Sequence, residues 1–191
     1  MIIRDTWGNV IYSAKSGADE ESEDELSLEG VDLSRKHLAA AGLASANLRR
    51  ANLTLTNLDG ADLDSAILED ARLEGASCEG AFFCDANLKR VKASGADFYE
   101  AIFFRANMAS ANFEKANFAG ADLKEVCLKG CNLKNANFGE DNMGGQTKLQ
   151  NANLFDTIVE GANFNKALYN NKTVFPKGFD PTAHGMIIDF D

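Results

Sequence analysis

The sequence predicts a solenoid, on the strength of its period, the composition of each unit and the length over which both persist. From Leu28 to Val174 nearly every fifth residue is a large apolar one, usually with an alanine two places before it. The units Ala46-Asn47-Leu48, Ala51-Asn52-Leu53 and Ala61-Asp62-Leu63 show the pattern, and Ala111-Asn112-Phe113, Ala116-Asn117-Phe118 and Ala121-Asp122-Leu123 repeat it. A period of five matches neither the ~3.6 of a helix nor the ~2 of a strand. Sustained along a chain, such a period marks repeats that bury their apolar faces only against one another.

Taking the large apolar residue as the centre of each unit, centres run Leu28, Leu33, Leu38, Leu43, Leu48 and onward to Met143 in one register. The register is expected to slip by one residue at Gly144-Gly145 and to resume with Leu149, Leu154, Val159, Phe164, Tyr169 and Val174. Centre and alanine point inward. The remaining positions are mostly Asn, Asp, Lys, Glu, Arg, Ser and Gly, as a solvated surface requires.

These Ala-(Asn/Asp)-Leu-x-x units resemble the pentapeptide-repeat family over roughly three quarters of the chain. The resemblance implies an all-β fold, a right-handed quadrilateral β-helix with four units per coil. At the usual strand spacing it implies about 7–8 coils and a rod roughly 35 Å long. Residues twenty apart then stack. One interior column is Leu38, Leu58, Cys78, Phe98, Phe118, Phe138, Val159, and another is Leu43, Leu63, Phe83, Phe103, Leu123, Met143, Phe164. At Ala93 the centre is small, and the larger Val91 before it fills the volume.

Outside the repeats, 28–174, three segments are expected. Residues 1–18 read as a β-hairpin, with Ile2-Ile3-Arg4 and Val10-Ile11-Tyr12 flanking Asp5-Thr6-Trp7-Gly8-Asn9. An isolated hairpin is marginal, and the open edge of the first coil is its expected packing site. Residues 19–27 form an acidic linker containing Asp19, Glu20, Glu21, Glu23, Asp24 and Glu25. Residues 175–191 form a cap and tail, in which Phe175-Pro176-Lys177-Gly178-Phe179-Asp180-Pro181 is similar to the closure of cyanobacterial-type members of the family. Met186-Ile187-Ile188-Asp189-Phe190 is a further cap or a strand pairing with a neighbour.

Net charge is −10, and the acidic linker carries much of it. The chain has no apolar run of membrane-spanning length and no signal-peptide pattern, so a cytoplasmic protein without membrane contact is expected. Cys78 and Cys131 should point inward and Cys84 and Cys127 outward, with no two stacked, so disulfides are not expected. Cys127 and Cys131 should face opposite sides of the wall, which argues against a metal site. His37 and His184 cannot meet a nucleophile and an orienting acid, and no phosphate loop or dinucleotide fingerprint occurs. Neither an enzyme nor a cofactor is expected.

The outward faces differ from one another. One alternates in charge, with Arg49, Glu69 and Lys89 in one file and Arg50, Asp70 and Arg90 in the next, as register-fixing ladders do. A second carries Asp59, Glu79, Asp97, Glu100, Glu140 and Glu160, with Lys36 its one cation. An acidic stripe on a duplex-wide rod invites comparison with the quinolone-resistance branch of the family, which binds DNA gyrase by resembling DNA, and so suggests a gyrase or topoisomerase partner without direct nucleic-acid binding. The stripe is nevertheless sparse beside one phosphate per ~1.7 Å of duplex. A third face places Phe82 and Ile102 in the slot where the motif has Asn or Asp. Cys84 and Phe104 follow them, and Tyr99 lies round the corner. This patch is either covered by the hairpin or tail, or it is a partner or self-association site. The expected function is a non-enzymatic protein-interaction or scaffold module. A DNA mimic and a purely structural array are the alternatives.

Overall fold

The computed structural model describes residues 2–4, 10–13 and 27–190. Strand β1 (Ile2–Arg4) pairs antiparallel with β2 (Val10–Ser13), with an irregularity between Ile3 and Arg4. The intervening turn and the acidic linker up to residue 26 lie outside the described residues.

From Ser27 the chain advances in five-residue steps, each a β-bridge residue, a centre and a tight turn. Parallel bridges join Ser27 to Asn47, Asp32 to Asn52, His37 to Asn57 and Gly42 to Asp62, and the offset of twenty persists as far as Asn117 and Asn137. Four units therefore complete one turn of the winding. The backbone bonds run between successive turns: Leu48 N–H donates to Ile67 O at 2.8 Å, and Ile67 N–H to Ala46 O at 2.9 Å.

Each corner is made two residues after the centre, where φ is left-handed: 59° at Arg35, 54° at Ala40, 56° at Leu55. Side-chain-bearing residues enter this region at a cost of about 1–2 kcal/mol each, so the corners need local support. The centre's carbonyl supplies one bond, accepting for example Ala61 N–H on Leu58 O at 2.9 Å. The Asn or Asp before the centre supplies another. Asn47 Oδ1 accepts Arg49 N–H at 3.2 Å, and Asp62 Oδ1 accepts Asp64 N–H at 3.1 Å. The motif's Asn/Asp is thus a turn-former.

The interior is largely apolar and its columns are in file. Phe98 and Phe118 stack with ring centroids 5.1 Å apart, Phe118 and Phe138 at 5.0 Å, and Phe83 and Phe103 at 4.7 Å. Ala93 and Val91 are both fully buried. On the outside of the Phe98–Phe138 wall, side-chain amides form a polarised chain. Asn163 Nδ2 donates to Asn137 Oδ1 at 2.8 Å, Asn137 to Asn117 at 2.9 Å, and Asn117 to the Asp97 carboxylate at 2.9 Å.

The register after Phe138 departs from expectation. Asp122 bridges Lys148, Cys127 bridges Asn153, Asn132 bridges Ile158 and Asn137 bridges Asn163, an offset of twenty-six in place of twenty. Six residues are therefore expelled from the wall as a loop, where a slip of one was expected. Met143, expected as a centre, is 92% exposed. Leu149 stands over Leu123 in its stead, and Phe164, not Val159, continues the Phe138 column at 4.8 Å. The cause is Asp141, which the expected register would put in the inward alanine position as a buried unpaired carboxylate. In the loop its Oδ1 accepts the N–H groups of Met143 and Gly145, both at 2.7 Å. Thr147 closes the gap from inside: its hydroxyl oxygen accepts Gly120 N–H at 3.1 Å and lies 2.9 Å from the carbonyls of Phe118 and Gly139.

A second irregularity follows. Asn153 bridges Val174, an offset of twenty-one. This turns Val174, also expected as a centre, outward, and Phe175 packs edge-on to Tyr169 at 5.5 Å. Phe179 then stacks on Phe175 at 5.1 Å and meets Phe164 edge-on at 5.3 Å. Strand β4 (Ile187–Ile188) pairs in parallel with β3 (Leu168–Tyr169) of the same chain.

Candidate interaction face

One wall of the rod is built from the ladder Gly42, Asp62, Phe82, Ile102, Asp122, Lys148, Leu168, Ile187. Phe82 and Ile102 are bridge partners on successive turns. Phe82 is 40% exposed, while Ile102, Cys84 and Phe104 are half-buried. With Phe and Ile in the slot, the local turn bond is forgone at both corners. Cys84 N–H goes instead to Asp64 Oδ1 of the preceding turn at 2.7 Å. Arg105 lies over the Phe104 ring, 4.7 Å from its centroid, and holds Asp85 through two bonds of 2.7 and 2.6 Å. The rim of the patch is therefore charged but neutralised. The Cys84 thiol is pushed up to about 11 by burial and by Asp64 and Asp85, so it stays protonated and unreactive at neutral pH.

Tyr99 has a different role from the one its position suggested. Its hydroxyl accepts Asn142 N–H at 3.2 Å, tying the expelled loop to the neighbouring wall. The C-terminal tail does not cover the patch either, because β4 runs along Leu168–Tyr169 farther up the rod.

The acidic stripe is broken up. Glu160 belongs to the adjacent wall, where Ile158 bridges Asn132 and Glu160 pairs with Lys134 at 3.2 Å. The expelled loop is what shifts it. Glu140 lies in the loop and binds Lys166 at 2.7 Å, which brings a cation onto the face. Asp59 accepts Ser77 Oγ–H at 2.6 Å and Glu79 N–H at 3.1 Å, and Asp97 accepts Tyr99 N–H at 3.1 Å as well as the Asn117 amide. Glu79 and Glu100 are exposed.

The alternating wall is an ion-pair ladder. Arg49 meets Glu69 at 3.3 Å, and Arg90 meets Asp70 and Glu69, each at 2.8 Å. Arg50 turns to Glu29 at 3.5 Å instead of to Asp70. Hydrogen bonds from Arg90 hold the Glu69 and Asp70 carboxyls below their ordinary range, and Arg105 does the same for Asp85.

Cys131 is buried with its thiol donating to Met108 O at 2.9 Å, while Cys127 is half-exposed. Among the described residues no group of His, Cys, Asp and Glu is placed to hold a metal ion, and no helix is long and apolar enough to cross a membrane. His184 stacks on Phe179 at 4.2 Å, with Nδ1 2.8 Å from Asp180 O. Sequence reasoning missed two apolar features, one on the candidate wall and one on the wall of Asn112 and Asn132. Leu168 and Ile187 share the Phe82–Ile102 ladder, which becomes visible only once the offset of twenty-six is known. Ile158 is 54% exposed, and its place in the Asn/Asp slot was the available signal.

The Pentapeptide repeats family pattern matches in eight copies, over residues 32–70, 66–103 and 101–139. This chain belongs to the pentapeptide-repeat family. Among solved structures of pentapeptide-repeat and related chains, full-length QnrB1, a plasmid-mediated fluoroquinolone resistance protein, is 18% identical with a TM-score of 0.50, over 86% of this chain and 92% of its own. HetL, a pentapeptide repeat protein involved in heterocyst differentiation regulation in the cyanobacterium Nostoc, is 22% identical with a TM-score of 0.34, over 85% of each chain. Rfr23 from the cyanobacterium Cyanothece is 24% identical with a TM-score of 0.31, over 78% of this chain and 88% of its own. The QnrB1 likeness concerns the fold alone. Comparison with curated protein sequences gives no match.

Proposed function

We propose that this pentapeptide-repeat protein is a non-enzymatic protein-interaction module whose docking surface is the wall carrying Phe82, Ile102 and Phe104. The observation that carries this reading is the substitution of apolar residues for turn-forming Asn/Asp on successive turns. The fold gives up local hydrogen bonds there and gains exposed apolar surface, which a purely structural array has no reason to do. The DNA-mimic reading draws less support, since Lys134 and Lys166 pair with two of its six carboxylates and internal bonds engage Asp59 and Asp97. The rod itself is proposed to be right-handed and square-sided, with about seven coils, and to work in the cytoplasm. Its first coil is proposed to be covered by the N-terminal segment. Leu28, Leu33, Leu38 and Leu43 would otherwise line an open end, and each is at most 1% exposed.

The test is affinity capture from the native host with wild-type protein and an Ile102→Asp/Phe104→Asp variant. Asp already occupies the slot of Ile102 at 62, 97 and 122 and the slot of Phe104 at 59 and 64, so the variant should fold. Loss of the captured partner at unchanged melting temperature is the expected result. A partner retained by the folded double variant refutes this interface.

A further inference from the structure

Resting on that reading of the wall, we infer that its occupant is a second copy of the same chain, docked face to face and antiparallel about a two-fold axis between Asp122 and Lys148. Along the rod the ladder reads Phe82, Ile102, Asp122, Lys148, Leu168, Ile187, which is apolar, apolar, acidic, basic, apolar, apolar. This order is its own complement when reversed. A two-fold axis lying in the interface and perpendicular to the rod sets the ladder against itself, end for end. Phe82 then faces Ile187 of the other copy, Ile102 faces Leu168, and Asp122 faces Lys148, each contact occurring twice as an isologous interface requires.

Three further observations support a second copy. Within one chain Lys148 Nζ lies 3.5 Å from Asp122 Oδ2, so at the axis two such pairs form a ring of alternating charge. The adjacent file, Cys84, Phe104, Lys124, Gln150, Asn170, Asp189, reversed on itself, brings no like charges together. The apolar ends are open, with Phe82 and Ile187 respectively 40% and 42% exposed. The five steps between these six residues span about 24 Å, and a wall of that length buries on the order of 800–1,000 Å² in total, which belongs to a weak, reversible dimer.

Sedimentation equilibrium up to about 0.5 mM protein tests this, a range that brackets micromolar dissociation constants. The wild type should dimerise. Asp122→Lys sets lysines against lysines, Lys148→Asp sets acids against acids, and each should weaken the dimer about tenfold or more. An equimolar mixture of the two variants should regain association, because a wholly basic centre then meets a wholly acidic one. The slot already holds Lys at 92 and Asp at 97, and circular dichroism checks that both variants fold. Ile187→Asp, at an exposed site near the end of the chain, should abolish association independently. A wild type that stays monomeric throughout, or a mixture that associates no better than its components, overturns the inference. Neither result bears on capture of a host partner through Ile102 and Phe104, so the two readings fail separately.

Discussion

At the scale of single residues, the Asn/Asp slot divides positions that serve the fold from positions that do not. Where the slot holds Asn or Asp, its oxygen closes the turn, as at Asn47, Asn52 and Asp62. Ile102 cannot do this. We therefore expect Ile102→Asn to leave stability unchanged or to raise it by about 0.5–1 kcal/mol, the net value of one hydrogen bond. Binding through the wall should fall. Urea unfolding together with a binding assay checks both halves, and a clear loss of stability would show that Ile102 is there for packing. Phe118 is the opposite case, fully buried and in ring contact with Phe98, Phe103, Phe113 and Phe138. Its replacement by Ala should cost about 3–5 kcal/mol in urea unfolding.

Elements here are ladders and loops. On the alternating wall, Arg90 holds Asp70 and Glu69 ionised below their ordinary values of 3.8 and 4.5. Because the folded pKa values are depressed, the ladder's contribution is present above the ordinary carboxylate range and disappears as pH falls through the lowered folded values. Arg90→Gln should therefore lower the urea midpoint at pH 7 and make much less difference near pH 3. Equal effects at both would show that Arg90 acts by packing alone. The expelled loop makes a separate prediction. Phe138 and Leu149 are eleven positions apart in sequence, so deleting residues 140–145 restores the five-residue step. The shortened protein should melt cooperatively, within about 1–2 kcal/mol of the parent, the cost of placing Gln146 at a left-handed corner. Loss of cooperative unfolding would show that the loop is needed for closure of the wall.

At the scale of the molecule, the period of five and the stacking of Phe98, Phe118 and Phe138 were legible because burial selects side chains at fixed intervals along a winding chain. The loop was not legible from that pattern, since Met143 has the character of a centre at the right interval. What betrays it is Asp141 in the inward position together with Gly139, Gly144 and Gly145, a signal of polar burial and backbone freedom and not of hydrophobic period. The place of Glu160 was hidden for the same reason, because a slip of one keeps it on the acidic face, whereas Glu140 precedes that slip and leaves the wall with the loop. The apolar patch lies below the loop, where the offset of twenty still holds, but its continuation into Leu168 and Ile187 is hidden by the changed offset.

The winding itself, with six residues expelled after Phe138, determines which side chains share a wall, and native Cys127 provides its most direct measurement. Cys127 bridges Asn153, whereas a slip of one residue would put it beside Lys148. Treatment of Asn153→Cys and Lys148→Cys with a short bifunctional thiol reagent, followed by mass spectrometry, distinguishes the two. An intramolecular link from Cys127 in Asn153→Cys and none in Lys148→Cys is the predicted result. A link in Lys148→Cys and none in Asn153→Cys would contradict the wall assignments and the interface drawn from them.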